Sequence, residues 1–230
     1  MFLEVIPGGG AALAERAAIW VADHLWSAIA ERGVAHLAVS GGNTPTTMFA
    51  ALAVTPLPWT QVHVWQVDER VAPDGDPARN LNDLQAALLS KVPAVAHLYD
   101  VTNPDLDAAA AAYASALRTE CGGVLDVVHL GLGDDGHTAS WPPGDPVADV
   151  TATDVARSNV YMGHVRLTLT VPAVNRARQI MFLVSGAAKA EPLGKLLAGD
   201  PSIPAARVRR QDTLVLADGP AAAGAATGPR

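Results

Sequence analysis

The stretch LDVVHLGLGDDGH, residues Leu125–His137, joins a short apolar run to a glycine-rich loop that ends in a histidine. The run Leu125–Leu130 is rich in leucine and valine and too short for a helix, which is typical of a buried strand. Four other runs have the same character, and the sequence therefore predicts five buried strands in all. The other four runs are Val34–Val39, Val62–Val67, Ile180–Val184 and Thr213–Ala217.

Helical patterns lie between these strands, with apolar residues recurring at three- and four-residue spacing. The predicted helices are Ala11–Arg32, Leu81–Lys91 and Asp105–Arg118. Strands that alternate with helices favour right-handed crossovers, so we expect an α/β fold with a mostly parallel sheet and helices on both faces. Arg166–Val171 (RLTLTV) differs, because polar and apolar residues alternate there, which predicts a half-exposed strand.

The composition indicates a folded chain of ordinary α/β type. Of 230 residues, 50% are hydrophobic and 17% are charged, which is enough to bury a core. We expect a single domain over residues 1–218, followed by a disordered tail over residues 219–230, which is rich in Gly, Ala and Pro.

Charge and cysteine content exclude several classes of function. The net charge of −7 argues against nucleic-acid binding and against docking on anionic membranes. The only cysteine, Cys121, excludes an internal disulfide and a cysteine-based zinc site. The first residues lack the basic segment of a signal peptide, and no apolar run reaches ~18 residues, so the expected location is the cytoplasm.

Glycines, charged residues and a histidine follow four of the predicted strands. Ligands of open parallel sheets bind beyond the carboxyl ends of the strands, so these segments are expected to meet at one edge and form a site. The segments are SGGNTP (Ser40–Pro45), DER (Asp68–Arg70), GLGDDGH (Gly131–His137) and SGAAK (Ser185–Lys189).

The SGGNTP segment fits an anion-binding loop. Gly41 and Gly42 allow positive φ and a close approach of the backbone to a ligand. Thr44 as N-cap and Pro45 at the first helical position predict the start of a helix, where exposed amides bind phosphate. An ordinary tight turn between a strand and a helix has the same pattern, and both interpretations stay open.

Two cations in these segments suit an anionic ligand, which a chain of net negative charge can hold only with local positive charge. Arg70 offers a planar fork for phosphate, and Lys189 offers a point charge. Most charge clusters are solvated, however, so Asp68–Arg70 is also compatible with an exposed charged turn.

The GLGDDGH segment presents His137 on a tight loop, and histidine is the side chain best suited to moving protons near neutral pH. Asp134 and Asp135 can orient it or stabilise its charge. A metal loop is the alternative, but one histidine with two adjacent carboxylates is a poor ligand set, so no metal is expected. A purely structural turn is the other alternative. The remaining histidines lie in predicted helices, strands or unmarked loops.

Six motifs run in one order along the chain: SGGNTP, DER, Asn80 within PARN, GLGDDGHTAS (Gly131–Ser140), RLTLTVPAVNRAR (Arg166–Arg178) and SGAAKAE (Ser185–Glu191). Together they resemble the 6-phosphogluconolactonase family, within the wider glucosamine-6-phosphate isomerase/6-phosphogluconolactonase group. GLGDDGHTAS is the most specific of the six, and the matches span most of the chain.

The resemblance implies a NagB/RpiA/CoA-transferase-like α/β fold and a cofactor-free reaction. That reaction is the hydrolysis of 6-phospho-D-glucono-1,5-lactone to 6-phosphogluconate in the oxidative pentose phosphate pathway. His137 matches the family's proton-handling histidine, Asp135 its acidic neighbour, and Arg70 and Lys189 its phosphate-binding cations. The other substrate-binding candidates are Ser40, Gly41, Gly42, Asn43, Thr44, Asp68, Asn80 and Gly136.

The expected partner is the phosphosugar lactone alone, with neither nucleic acid nor membrane, and the expected form is a monomer or a small homo-oligomer. Two positions depart from the family's pattern. Trp141-Pro142-Pro143-Gly144 replaces an aromatic residue just before Pro-Gly, which would reshape the loop beside the site. Arg79 replaces a common serine and would either add a cation or point to solvent.

Three other functions compete with lactone hydrolysis. Isomerisation and deamination of glucosamine 6-phosphate would use Asp68 as acid/base, but the isomerases have tyrosine where Arg70 stands and Asn-Glu-Pro where HTAS leads to Pro-Gly. A serine esterase would use Ala38–Gly42 as a nucleophile elbow. Such an enzyme needs an acid and then a histidine well downstream, whereas Asp135 and His137 here share one loop. A phosphosugar-sensing domain would bind without chemistry, leaving His137 and Asp135 without a role.

Overall fold

The structure, a computed structural model, describes residues 1–223 and residue 225. Its larger sheet has seven strands, and all the pairings within it are parallel. These strands are β1 (Phe2–Ile6), β2 (Ala35–Val39), β3 (Val62–Gln66), β5 (Val95–His97), β6 (Val127–Leu130), β9 (Gln179–Val184) and β10 (Thr213–Asp218). Across the sheet they follow the order β1-β10-β9-β6-β2-β3-β5.

A second, antiparallel sheet of three strands stands beyond the carboxyl end of β3. It consists of β4 (Asp68–Arg70), β7 (Val155–Arg157) and β8 (Arg166–Leu169), with β8 in the centre. The described helices are α1 (Gly9–Arg32), α2 (Asn43–Ala53), α3 (Asn80–Leu84), α4 (Leu106–Cys121), α5 (Val171–Asn175), α6 (Ala190–Ala198) and α7 (Gly219–Ala222). A π-helical turn, Gln85–Leu89, continues α3.

Strand β9 shows why the central strands are continuous apolar runs. Ile180, Phe182 and Val184 face the core cluster that contains residues of α4 and α6, whereas Met181 and Leu183 face the cluster that contains residues of α1 and α2. Both faces of the sheet are therefore buried, as in parallel sheets generally. The predicted α/β fold, with a mostly parallel sheet and helices on both faces, is confirmed.

The five predicted strands correspond to β2, β3, β6, β9 and β10, and the predicted helices to α1, α4 and α3 with its π-helical turn. Two edge strands, β1 and β5, were not predicted. They are short and partly solvent-facing, with Phe2, Val5 and Val95 exposed, so they lack the apolar run that marks a buried strand.

The prediction of a half-exposed strand at RLTLTV is wrong, because all four residues of β8 are buried. The polar side chains that suggested exposure have protein partners instead of water. Thr168 Oγ1 accepts a hydrogen bond from the Ser140 backbone N–H at 3.1 Å, and Arg166 is only 4% exposed. The alternation of polar and apolar residues in β8 therefore marks a face of buried polar side chains and not a face exposed to solvent.

The helix after β2 also begins differently from the prediction. Helix α2 starts at Asn43 with Gly42 as its N-cap, so Thr44 is not the cap and Pro45 lies in the first turn. The first helical bond explains the shift, because the Thr46 backbone N–H donates to the Gly42 carbonyl at 3.2 Å.

The predicted disordered tail is wrong at its beginning, since residues 219–222 form α7. Asp218 caps this helix by accepting a hydrogen bond from the Ala221 N–H at 2.8 Å, and Ala221 is fully buried. Residue 224 and residues 226–230 lie outside the described part of the chain. Among the described helices, none has the length and apolar character needed to cross a membrane.

Candidate active site

A cleft of about 170 Å³ opens beyond the carboxyl ends of β2 and β6, next to the small sheet. All four segments that follow predicted strands contribute to its wall, so the structure brings them together at one edge. The lining residues are Gly41, Asp68, Arg70, Asn80, Gly131, Leu132, Gly133, His137, Ala139, Arg166 and Lys189.

One wall of the cleft carries His137, which is held by Asp135. The His137 Nδ1 lies 2.6 Å from Asp135 Oδ1, and the His137 backbone N–H donates to the same oxygen at 3.1 Å. A carboxylate accepts only, so the neutral imidazole in this contact carries its proton on Nδ1. The Nε2 is then the nitrogen left to act as a base.

The second oxygen of Asp135 is also occupied, by a residue that the sequence reasoning missed. Tyr161 donates its hydroxyl to Asp135 Oδ2 at 2.6 Å, and this hydroxyl is 3.2 Å from His137 Nδ1. Burial alone would raise the pKa of Asp135, but the hydrogen bonds from Tyr161 and His137 outweigh it and hold the pKa below its ordinary value. Burial and the same bond to Asp135 raise the pKa of Tyr161 to about 12.

Two glycines in the cleft are required by close contacts. A Cβ on Gly133 would lie 2.0 Å from His137 Nδ1, and a Cβ on Gly41 would lie 2.2 Å from Asn80 Oδ1. Any side chain at these positions would displace a functional side chain, so here glycine allows a close approach rather than a special turn.

Positive charge concentrates on the small sheet. Arg70 and Arg166 are directly opposite each other in the register of β4 and β8. The Nε atoms of both are buried and have no hydrogen-bond partner in the described part of the chain. Burial and the neighbouring Arg70 lower the pKa of Arg166, although Asp68 opposes this. Like charges facing across a strand pair repel each other, and a bound anion would relieve that repulsion.

The other charged residues of the cleft already have partners. Lys189 forms an ion pair with Asp134, whose side chain is 68% exposed. Asp68 Oδ2 accepts a hydrogen bond from Ser140 Oγ at 2.6 Å, and both residues are buried.

Glu69 organises this wall without lining it. Its fully buried carboxylate accepts hydrogen bonds from the backbone N–H groups of Arg70, Asn80 and Leu81 at 2.8, 2.8 and 2.9 Å. Arg79 lies behind it, with its Nε 3.3 Å from a Glu69 oxygen. Arg79 is therefore buried and structural, and neither expectation for it, an added cation in the site or a solvent-facing side chain, is correct.

Five predicted substrate-binding residues do not line the cleft. Ser40 is buried, and its Oγ has no hydrogen-bond partner among residues 1–223 and 225, so the structure shows no base acting on it as a nucleophile elbow requires. Gly136 packs against Ile203. Gly42, Asn43 and Thr44 form the cap and first turn of α2.

The loop after His137 contains Trp141, where the sequence departs from the family's pattern. Trp141 is fully buried and donates its Nε1–H to the Leu169 carbonyl at 2.8 Å, which anchors this loop to β8.

The described residues hold no candidate metal site: no three or more His, Cys, Asp or Glu side chains among them are placed to hold a metal ion.

Comparison with known proteins places this geometry in a family. The family model described as "Glucosamine-6-phosphate isomerases/6-phosphogluconolactonase" matches residues 9–216. A 6-phosphogluconolactonase of Synechocystis sp. is 39% identical over 215 residues, which cover 88% of this chain and 89% of that protein.

Solved structures agree on the fold. The crystal structure of a 6-phosphogluconolactonase from Shewanella baltica superposes with a TM-score of 0.85 at 27% identity, covering 95% of this chain and 97% of that one. A monomeric glucosamine-6-phosphate deaminase of the NagB superfamily superposes with a TM-score of 0.83 at 20% identity, covering 97% of this chain and 100% of that one. The fold is therefore NagB-like and common to both activities, and the chain belongs to the glucosamine-6-phosphate isomerase/6-phosphogluconolactonase family.

Proposed function

We propose that this chain hydrolyses 6-phospho-D-glucono-1,5-lactone to 6-phosphogluconate in the oxidative pentose phosphate pathway. One observation carries the proposal: a histidine fixed by a carboxylate faces the same cleft as three cations. His137 supplies the base, and Arg70, Arg166 and Lys189 supply the positive charge. The name of the Synechocystis relative agrees with this reaction.

The phosphate is bound by the cations of the small sheet. Arg70 and Arg166 both line the cleft, and hydrogen bonds within the described residues use only one or two of the five N–H donors of each guanidinium group, so donors remain for phosphate oxygens. Lys189 adds a third charge once it exchanges Asp134 for the ligand. Binding energy from the phosphate then orients the lactone carbonyl against His137.

The chemistry needs no covalent intermediate, because a 1,5-lactone is an activated ester. His137 Nε2 takes a proton from water as the water oxygen bonds to the carbonyl carbon. The bond between that carbon and the ring oxygen then breaks, and the imidazolium returns the proton to the ring oxygen. The glycine loops at Gly41 and Gly131 line the cleft, so their backbone N–H groups are the candidate donors for the developing oxyanion.

The sister reaction, deamination of glucosamine 6-phosphate, is the second candidate because the fold accommodates it. It needs an acid/base at Asp68. That carboxylate is 5% exposed and accepts a short hydrogen bond from Ser140, so it is placed to hold the small sheet and the histidine loop together. Lactone hydrolysis uses the free nitrogen of His137 and is the better match.

The test is to mix pure protein with freshly generated 6-phosphogluconolactone and to follow acid release. Unphosphorylated gluconolactone and glucosamine 6-phosphate serve as comparison substrates. We expect strong preference for the phosphorylated lactone, and equal kcat/KM with and without the phosphate would contradict the anion site. Ammonia release from glucosamine 6-phosphate, without lactone hydrolysis, would favour the second candidate.

The same assay separates His137 from the esterase alternative. His137→Asn is expected to lower kcat by about 10²–10⁴, the usual range for loss of a general base. Ser40→Ala should be much milder, because Ser40 is not the nucleophile in this mechanism. An inactive Ser40→Ala variant beside an active His137→Asn variant would reverse the assignment.

The remaining expectations belong to the same proposal: no cofactor, a location in the cytoplasm, a monomer or small homo-oligomer, and no nucleic-acid partner. The net charge of −7 supports the last of these, since nucleic-acid binding surfaces are strongly basic.

A further inference from the structure

The loop between β7 and β8 directs the side chain of Tyr161 toward Asp135 and leaves the side chains on either side of it exposed. Val160 and Met162 are 69% and 72% exposed, whereas Tyr161 between them is half-buried and reaches Asp135. The turn is closed by backbone hydrogen bonds between Tyr161 and His164, at 2.9 and 3.2 Å. Met162 adopts a φ of 48°, a conformation that costs free energy for a side chain of this kind.

Arg166 also contacts the tyrosine, through both its ring and its backbone. Its guanidinium carbon lies 5.0 Å from the centre of the Tyr161 ring, within the range of a cation–π contact. Its Nη2 also donates to the Tyr161 carbonyl at 3.4 Å. The tyrosine therefore connects the cation-bearing strand to the Asp135–His137 pair, 26 residues away in sequence from Asp135.

We propose that Tyr161 is a positioning residue for the lactonase reaction, whose hydroxyl holds Asp135 so that His137 keeps its proton on Nδ1 and presents Nε2 as the base. The proposal rests on the proposed function. It goes beyond it by adding a third member, from a different loop, to the Asp135–His137 pair.

The hydrogen bonds of the two Asp135 oxygens explain this role. Asp135 lies on an exposed loop tip, and its side chain is 38% exposed, so the carboxylate can rotate and exchange His137 for water. The hydrogen bond from the Tyr161 hydroxyl to Asp135 Oδ2 prevents this rotation and keeps Asp135 Oδ1 directed at His137. Because the pKa of Tyr161 is about 12, the phenol stays a donor at every pH at which the imidazole can act as a base.

The first test is Tyr161→Phe, which removes only the hydroxyl, with Val160→Ala as the matched control on the same turn. We expect kcat to fall about 10-fold, the scale for a lost hydrogen bond to a charged group, with KM changed less than about twofold. The split is expected because Tyr161 does not line the cleft. An unchanged kcat, or a raised KM at full kcat, would overturn the proposal.

Two further measurements separate positioning from simple support of the loop. In ¹⁵N NMR, the His137 ring should be the Nδ1–H tautomer in the parent protein and a mixture in Tyr161→Phe, while Val160→Ala matches the parent. In an Asp135→Asn background, Tyr161→Phe should cause no further loss of kcat, because Tyr161 acts through Asp135. Additive losses, or an unchanged tautomer, would contradict the proposal. Because the NMR measurement needs no substrate, it decides the role of Tyr161 even if the parent protein fails the lactone assay.

Discussion

Lys189 is a cation of the cleft whose charge is already balanced, because Asp134 forms an ion pair with it. Phosphate must displace this carboxylate, and the carboxylate also repels the dianion while it remains nearby. Asp134 is therefore expected to lower the affinity for substrate, and among the described residues the hydrogen bond of its side chain goes to Lys189 and not to the Asp135–His137 pair.

We expect Asp134→Asn to lower KM for the phosphorylated lactone by about two- to fivefold with little change in kcat, on the scale of one exposed ion pair. Steady-state kinetics at low ionic strength measure this effect. Asp23→Asn on the exposed face of α1 is the control for the change in net charge. A raised KM would show that Asp134 helps to hold Lys189 in its binding position.

At the scale of elements, the wall that carries Arg70 and Asn80 depends on the buried Glu69. The carboxylate accepts the backbone N–H groups at the start of α3 and pairs with the buried Arg79, so one side chain fixes both β4 and α3. Breaking a buried ion pair on one side leaves the other charge uncompensated, which is costly.

Glu69→Gln is expected to lower the free energy of unfolding by about 3 kcal/mol. The amide has no charge to offset Arg79, and its NH2 group would face backbone N–H groups that now donate to the carboxylate. Urea unfolding measures the loss. Asp74→Asn is the matched control, since Asp74 is the exposed partner of the same arginine, at 86% exposure, and should cost little. Equal effects from the two variants would mean that Glu69 does not organise this wall.

Elements were predictable where burial on both faces left a continuous apolar run, as in β9. They were not predictable where the neighbouring element decides the environment. β8 shows the limit: its alternating sequence predicts one solvent face, but β4 and β7 flank the strand and Thr168 accepts a hydrogen bond from Ser140. An alternating sequence shows which side chains are polar. A polar side chain is exposed to solvent only when no protein group is placed to form a hydrogen bond with it.

The site shows the same division. Residues that follow strands could be placed together, because parallel strands end at a common edge. Tyr161 could not, since its contact with Asp135 depends on the path of a loop and on a turn at Met162, and neither leaves a local pattern. Arg166 was visible in a motif, but its position opposite Arg70 depends on strand register.

For the whole molecule, buried histidines make stability depend on pH. Burial lowers the pKa of His129 to about 3, and burial with the neighbouring His63 lowers the pKa of His36 to about 4. The unfolded chain takes up these protons near ~6.5, so between that value and the folded-state pKa it binds more protons than the native state. The contribution of these two histidines to the free energy of unfolding is therefore fully present above about pH 6.5 and is lost as the pH falls toward their folded-state pKa values.

We expect the free energy of unfolding to drop between pH 7 and pH 5 by on the order of 1 to 2 kcal/mol for each buried histidine. Urea unfolding at the two pH values measures it, with Asp135 and Asp218 not interfering because their lowered pKa values put their titration below this window. A free energy independent of pH over this range would contradict the assignment of buried, neutral imidazoles.

The position of β1 at the edge of the sheet, paired with β10 alone, has a consequence for synthesis on the ribosome. Phe2 pairs with Leu214 and Ile6 with Asp218, so β1 finds its partner only after β10, which lies later in the chain than every other described strand, has been synthesised. The strands that carry the catalytic edge, β2, β3 and β6, can pair with one another earlier. Pairing of β1 with β10 closes a loop that contains all the other described strands, and contacts between residues so far apart in sequence form slowly. Closure of the β1–β10 edge is therefore expected to follow the pairing of β2, β3 and β6.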